Sequence, residues 1–424
     1  MITIYKLFGL FFYPFFIVIM YLRKFFKKED NTRFKEKLFP SKFFINRNKT
    51  KKLIWFHAAS IGETQSIIPL VKKITVSDSN VDILITTVTI TSANLIKEKF
   101  YNYKNVKHRY LPLDIVFLIK NFLLGWKPNI VIFVDSEIWP NFLTEINKKK
   151  IPLILLNGRI TKKTYLRWSL IPNTAKKVFK TFDLCLVSNN ESKKYLKNFE
   201  AKNIKYIGNL KLATEHSLSS VNEKNKDIFK QKKIWCAVST HKGEESFIVR
   251  THLRLKKENK NIITMIIPRH IDRADTIGLI CKENKLPHQI LSNNEPIDLN
   301  KEIIIINSYG MVPDYLKLCK SVFIGKSLIK KLQLVGGQNP IEAAKLGCKI
   351  YHGPYVYNFN EIYELLNKYK ITEEILSEND LSNKINFDLN NSNIKRDENI
   401  IRSINNLGEK ILDDTFEELK RFNN

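Results

Sequence analysis

Hydrophobic positions in this chain come in short blocks. Nearly continuous runs of Ile, Leu, Val and Phe occupy residues 53–56, 83–88, 106–111, 130–134, 151–156, 184–187 and 204–207. Such runs suit parallel strands buried on both faces, and helical periodicity fills the gaps between them. A polar segment, residues 214–233, breaks the rhythm. It resumes with strands at 234–238, 262–267, 303–306, 322–324 and 349–351. The pattern predicts an α/β protein built from two doubly wound, Rossmann-like domains that face a cleft. Residues 376–398, rich in Asn, Ser and Asp, read as a loop. A charged amphipathic helix over residues 398–421 closes the chain.

The N-terminus departs from this pattern. Residues 7–22 carry no charge and are dense in Phe, Ile and Leu, and Arg23, Lys24, Lys27 and Lys28 come next. Sixteen helical residues span about 24 Å, and the preceding turn with Lys6 snorkelling brings the length near a ~30 Å hydrocarbon core. The basic flank holds the main body of the chain on the cytoplasmic side. A helix lying in the interface competes with a spanning one; the apolar core has no small-residue cleavage site after it, which argues against a signal peptide. The expected segments are therefore 1–28 as a membrane anchor, 29–213 as a first domain, 214–233 as a linker, 234–397 as a second domain and 398–424 as a helix crossing back toward the first.

Composition narrows the function classes. The chain has 424 residues and 44% hydrophobic content, which a globular core requires. Five widely spaced cysteines and no Cys-x-x-Cys pair fit a reducing compartment rather than a disulfide frame or zinc site. A net charge of +28 attracts polyanions, whether nucleic acid, anionic membrane or phosphorylated substrates. The lysines are dispersed, without the basic stripe and interleaved aromatics of a nucleic-acid binder.

Candidate chemistry clusters where strands end and helices begin, the usual ligand position in open α/β sheets. After the first strand come Ser60 and, three residues on, Glu63. These form a capping box, or Glu63 is a general base; Gly62, costly inside a helix, suits close approach of a ligand. Asp135 and Glu137 come directly after the strand at 130–134. As a pair they bind sugar hydroxyls or shape a proton-transfer site; otherwise one caps the next helix and Trp139 is core. Arg159 and Lys211 also lie just past strands. In the second half, Ser239 and Thr240 offer hydroxyls to a phosphate, with an N-cap as the plainer reading. Arg269 ends another strand. Gly336-Gly337-Gln338-Asn339-Pro340-Ile341-Glu342 combines glycines with an N-cap and a first-turn proline, a helix start able to hold an anion. Gly325-Lys326-Ser327 resembles a phosphate loop, but Lys320 stands where the first glycine belongs, which excludes a P-loop NTPase.

Taken in order, His57-Ala58-Ala59-Ser60-Ile61-Gly62-Glu63, Ser136-Glu137-Ile138-Trp139-Pro140-Asn141, Gly208-Asn209-Leu210-Lys211, Ser239-Thr240-His241-Lys242-Gly243-Glu244-Glu245, Pro268-Arg269-His270 and Gly337-Gln338-Asn339-Pro340-Ile341-Glu342 resemble the 3-deoxy-D-manno-octulosonic acid (Kdo) transferases. The resemblance implies a GT-B glycosyltransferase that moves Kdo from CMP-Kdo to the lipid A precursor, lipid IVA, at the bacterial inner membrane, with inversion of the anomeric centre. It places the general base at Glu63 and charge-stabilising roles at Glu137 and Lys211. CMP contacts fall at Pro268, Arg269, Gly310, Met311, Val312, Asn339, Pro340, Ile341 and Glu342, with further phosphate contacts at Ser239, Thr240, Ser327 and Gly337. Three positions depart from the family pattern: Met311 and Val312 replace an acid and a leucine, Lys326 a glycine, and Gln338 a histidine. No cofactor, metal or nucleic acid is expected. The competing readings are a GT-B transferase using a UDP-sugar and a membrane-tethered nucleic-acid binder.

Overall fold

The computed structural model describes all residues except 1, 46, 49, 215–231, 293–294, 309–311, 392–397 and 423–424. The chain divides into two compact units: Met1–Glu215 with Leu407–Asn424, and His216–Asn406.

The first unit begins with helices α1 (Ile2–Phe11) and α2 (Tyr13–Phe25). It continues as β1 (Lys52–His57), α3 (Ile61–Ser77), β2 (Val81–Thr87), α4 (Ile90–Lys99), β3 (Val106–Tyr110), α5 (Val116–Trp126), β4 (Ile130–Val134), α6 (Pro140–Lys148), β5 (Leu153–Gly158), α7 (Lys162–Ser169), α8 (Pro172–Phe179), β6 (Leu184–Val187), α9 (Asn190–Asn198) and β7 (Ile204–Tyr206). Its sheet has the order β3-β2-β1-β4-β5-β6-β7, and every adjacent pair is parallel. The chain winds outward from β1 through β3, then returns to place β4 on the other flank of β1. That reversal makes the C-terminal ends of β1 and β4 the switch point of the sheet. β5 starts two residues later than the apolar run suggests, after Pro152, which has no N–H to give a ladder.

The second unit contains β8 (Lys233–Thr240), α10 (Glu244–Glu258), β9 (Ile262–Pro268), α11 (Ala274–Glu283), β10 (His288–Leu291), β11 (Ile303–Ile306), α12 (Val312–Leu316), β12 (Ser321–Ile324), α13 (Ile341–Lys345), β13 (Lys349–His352), α14 (Asn360–Lys368), β14 (Thr372–Glu374) and α15 (Glu378–Asn390). The sheet runs β10-β11-β9-β8-β12-β13-β14, again all parallel, with its switch point between β8 and β12. Two Rossmann-like sheets are thus the observed architecture. β10 and β14 carry no strand signal in the sequence, being half polar or wholly polar edge segments. The stretch expected as a loop after residue 376 holds a helix, α15. Ser377 caps it by accepting from Asp380 N, and Leu381 and Ile385, one turn apart, are fully buried.

The apolar N-terminus is not one straight helix. Its two segments bend by 60° at Phe12, with Pro14 in the first turn of α2. Among the described residues no single helix is long and apolar enough to cross a membrane, although the bent pair meets that test together. One face is seated on the first unit. Met20 packs with Phe34 and Leu38, Tyr13 Oη donates to Leu38 O at 2.8 Å, and Tyr5 Oη donates to Asp114 Oδ2 at 2.9 Å. The opposite face leaves Leu7, Leu10, Phe11, Phe15, Phe25 and Phe26 exposed. A basic and acidic cluster lies behind it, in which Glu29 accepts from both Arg23 and Lys37 and Lys37 also donates to Val88 O.

The final helix, α16 (Glu398–Lys420), is amphipathic as expected. From Leu407 onward it belongs to the first unit. Lys205 Nζ pairs with Glu418 at 2.7 Å, and Lys73 pairs with Asp413. Gly408 lies against the chain just past β7. A Cβ there would sit 2.1 Å from Leu212 O, far inside contact distance. Gly408→Ala is therefore expected to lower stability by about 1–3 kcal/mol and to expose the C-terminal helix to protease. Thermal melting and limited proteolysis check this; an unchanged melting temperature and digestion pattern would refute it.

Candidate active site

At the switch point of the first sheet, β1 ends at His57 and a tight loop, Ala58-Ala59-Ser60, leads into α3. Ser60 is extended and caps the helix in a full capping box with Glu63. The carboxylate turns back on the loop. Glu63 Oε2 accepts from Ala59 N at 2.7 Å, and Oε1 accepts from Ser60 Oγ at 2.9 Å. Cap and candidate base therefore coexist in one residue: the cap fixes where its carboxyl points. Burial, with the charges of Glu137 and Asp135 added, pushes that carboxyl up to about 7. The hydrogen bonds from Ser60 and Ala59 pull the other way and do not prevail.

The adjacent strand supplies the other acids. β4 ends at Val134, and Asp135 adopts a left-handed conformation, φ +61°, which turns the chain sharply. Asp135 Oδ2 accepts from Lys211 Nζ at 3.1 Å. Glu137 Oε2 accepts from Trp139 Nε1 at 2.7 Å and lies 3.4 Å from His57 Nε2. Burial pushes Glu137 upward, but His57 and Trp139 outweigh it and hold the carboxyl below its ordinary range. Neither acid caps the next helix. Asp114 does so, accepting from Phe142 N at 2.9 Å and Asn141 N at 3.3 Å, so that reading of the pair is corrected. Trp139 is only partly buried and serves as the donor to Glu137.

Lys211 arrives from the far end of the sheet. It sits in a short 3₁₀ turn, Leu210–Ala213, capped by Asn209, whose Oδ1 accepts from Lys211 N. Asn157, also left-handed (φ +53°) and buried, accepts from Leu210 N at 2.9 Å and so ties this turn to the end of β5. Gly208, at φ +93°, makes the approach to the turn. Glu63, Glu137, Asp135 and Lys211 are thus one electrostatic cluster at the C-terminal ends of β1, β4 and β5. A neighbour of the cluster, His57, and the cap of α6, Asp114, are not anticipated from sequence. His57 stands there only as part of a larger motif, and Asp114, in a Pro-Leu-Asp loop, carries no signal.

The second unit has its own loops at its own switch point. At the end of β8, Ser239 is left-handed (φ +57°) and breaks the strand register between Val238 and Thr240; after β12, Lys326 is left-handed (φ +59°). Glu244 joins them. Its carboxylate accepts from the backbone N–H of His241, Lys326, Ser327 and Leu328 at 2.7–3.1 Å. Gly325 is obligatory beside it, because a Cβ would meet Ser239 O at 2.5 Å. Burial pulls the His241 ring below its ordinary range, aided by Lys326 and His270. Arg269 is exposed at the end of β9, and its N–H donates to Thr240 O.

Several expected phosphate contacts are placed differently. Ser327 is fully buried; its hydroxyl donates to Ile324 O at 2.7 Å and accepts from Gly353 N at 2.9 Å, so it holds the loop together rather than facing a ligand. The Thr240 side chain is likewise fully buried. Gly337 (φ +84°) and Gly336 are required by protein packing, since Cβ atoms there would press on Val356 and Tyr355 backbone. The helix after them, α13, is only five residues long, so its dipole is weaker than the sequence implies. Asn339 is exposed and its Oδ1 accepts from Ile341 N; Glu342 is half-buried. Pro268, Pro340 and Ile341 are buried, and Val312 begins α12. Gly310 and Met311 lie outside the described residues.

Comparison with known proteins bears on the family and the fold. Residues 32–214 match the family model described as 3-deoxy-D-manno-octulosonic-acid transferase (kdotransferase). The chain is 29% identical over 415 residues to a 3-deoxy-D-manno-octulosonic acid transferase of Rickettsia bellii, covering 96% of each chain. It is 30% identical over 326 residues to an Arabidopsis thaliana protein named "probable 3-deoxy-D-manno-octulosonic acid transferase, mitochondrial", covering 74% of this chain and 72% of that one. Among solved structures, a glycosyltransferase of Rickettsia africae superposes with a TM-score of 0.57 at 12% identity, covering 88% of this chain and 98% of the other. The S. aureus MnaA–UDP co-structure gives 0.55 at 11% identity, covering 87% and 97%. These two establish the GT-B type of fold. With two parallel Rossmann-like sheets, an acid cluster at the first switch point and this level of identity over most of its length, the chain belongs to the Kdo transferase family of glycosyltransferases.

Proposed function

We propose that the protein moves Kdo from CMP-Kdo to a hydroxyl of lipid IVA, with inversion of the anomeric centre, in lipopolysaccharide synthesis. The observation that carries this reading is the Glu63 carboxyl, fixed by its own cap and raised to about 7 by burial beside Glu137 and Asp135. A base poised near neutrality is what a hydroxyl nucleophile needs. Glu63 takes the hydroxyl proton as the acceptor oxygen bonds to the anomeric carbon. The bond from that carbon to the CMP phosphate breaks in the same displacement, and its electron pair leaves with CMP. Since the donor already carries its leaving group, no enzyme-bound sugar is required. Glu137, held ionised, favours positive charge building on the sugar, and Lys211, shared with Asp135, balances the anions around it.

On this reading the second unit holds the donor. Arg269, exposed at the end of β9, and Asn339 and Glu342, at the start of α13, are the side chains we assign to CMP. Pro268, Val312, Pro340 and Ile341 shape the walls, and Gly310 and Met311 complete the family set. The loop amides are spent on Glu244 and the Ser327 hydroxyl is buried, so Lys326 and Ser239 are the polar groups assigned to a phosphate there. The bent pair α1–α2 is assigned to the inner-membrane surface on the cytoplasmic side. Its seated face is satisfied by the first unit, whereas the aromatic face opposite has no partner in water.

Separate measurements test these assignments. Glu63→Gln should cut kcat by about 10²–10⁴-fold and leave CMP binding nearly intact; normal turnover with CMP-Kdo and lipid IVA would remove Glu63 from its role. In the wild type kcat should rise with pH through about 7, because the base works only when ionised. The same raised carboxyl contributes stability below its unfolded range near 4.5 and loses it as pH rises through about 7, so melting temperature should move opposite to activity over that window. A flat kcat profile across that window would contradict the assignment. Calorimetric titration should show CMP bound and UDP not, with Arg269→Ala weakening CMP by roughly tenfold; preference for UDP would point to a different sugar nucleotide. Finally, Phe11, Phe15 and Phe25 replaced together by Ser should release the protein from vesicles containing anionic lipid, with melting unchanged, whereas a wild type that stays in the supernatant would sink the membrane assignment.

A further inference from the structure

His57 is fully buried at the end of β1, a position where a histidine can be mere packing, and its ring does make an edge contact with Phe133. Its nitrogens say more. Nδ1 faces two atoms of Thr86, the carbonyl oxygen at 3.1 Å and Oγ1 at 3.0 Å. Nε2 makes no hydrogen bond of good geometry and lies 3.4 Å from Glu137 Oε2. These partners settle whether Nε2 carries hydrogen. Were it bare, its lone pair would face those of a carboxyl oxygen that is already an acceptor, from Trp139 Nε1–H, a repulsive arrangement in a buried site. With hydrogen on Nε2, Nδ1 either donates to the Thr86 carbonyl or accepts from the Thr86 hydroxyl. Thr86 Oγ1 receives Trp55 Nε1–H at 2.8 Å, and its own hydrogen goes either to Nδ1 or to Phe56 O, 3.3 Å away.

The second donor to Glu137 is Trp139 Nε1, at 2.7 Å, and it reaches the same oxygen, Oε2. Two rings, one from β1 and one from the loop after β4, thus turn an N toward one oxygen of this carboxyl group. Neither ring engages the other oxygen, Oε1, which is the one left to work. β1 and β4 are neighbours in register, with His57 opposite Phe133, so the strand pairing itself sets the spacing between the ring and the acid beyond the end of β4.

We infer that His57 is a positioning residue of the transfer reaction, its Nε2–H clamping Glu137 Oε2 so that Oε1 is presented to the sugar. This role rests on the reading of Glu137 as a participant in transfer. Thr86, on the adjacent strand β2, supports the imidazole from behind, and Trp55, two residues back on β1, holds the Thr86 hydroxyl in turn.

Two substitutions separate positioning from packing. The Asn amide can replace Nδ1 but does not reach Glu137; the Gln amide can replace Nε2. His57→Asn should lower kcat by roughly tenfold or more with KM for CMP-Kdo and lipid IVA little changed, and His57→Gln should recover most of that loss. On a Glu137→Gln background, His57→Asn should cost little further activity, since the two act as a unit. Equal losses in the Asn and Gln variants, or losses that add fully to that of Glu137→Gln, would overturn the inference. If Glu137→Gln turns over normally, the reading of Glu137 itself falls and takes the inference with it; if Glu137→Gln is inactive while His57→Asn is fully active, only the inference falls. Should the buried variants not fold, nitrogen-15 spectra of histidine-labelled wild type give the answer directly: the clamp requires His57 Nε2 to be an N–H nitrogen, and a bare Nε2 refutes it.

Discussion

Mutual repulsion among three carboxylates is the constraint on which the first unit's site depends. Glu63, Asp135 and Glu137 are brought to adjacent strand ends, where water is partly excluded and like charges are costly. The fold answers each acid differently. Asp135 receives a lysine, Glu137 receives the Trp139 ring N–H with the His57 ring beside it, and Glu63 receives the amides and hydroxyl of its own cap. The acid with the least compensation is the one whose proton affinity rises toward neutrality. The raised proton affinity of Glu63 thus comes first from burial and then from the two neighbouring acids, and its own cap does not offset them.

The sheet topology explains why those partners come from so far apart in sequence. β1 and β4 become neighbours only because the chain reverses direction after β3. The reversal sets His57 beside the residues just past Val134, a distant stretch of sequence. Lys211 comes in from beyond β7, guided by Asn157 and Asn209. Each of these guides is a short polar side chain bonded to backbone, which costs little rotamer entropy to fix.

Much of the fold could be read directly from the chain. Runs such as Ile130–Val134 and Ile303–Ile306 have no other reasonable fate than a buried strand. Where reading failed, composition misled: Asn, Ser and Asp around α15 suggested a loop, although Ser377 is a good cap and Leu381 and Ile385 carry the helical spacing. The order of short segments after strands made the family legible, and the strand-end positions of Glu63, Glu137 and Lys211 were legible with it. The pairings inside the site were not, because His57–Glu137 and Asp135–Lys211 depend on which strands lie side by side. Ser327 shows the reverse error: a hydroxyl in a glycine-bearing loop reads as a phosphate ligand until its burial and its bonds to Ile324 and Gly353 are seen.

Glu244 has a consequence of a different kind. A carboxylate satisfied by four main-chain donors is chemically quiet, its lone pairs already committed and none left for a guest. Its negative charge is nevertheless spread over the amides of two loops, so neither loop needs a ligand to take its shape. The second unit therefore presents both loops with their backbone already set. The ordering cost that a floppy glycine-rich loop would carry has been met during folding, by one buried acid.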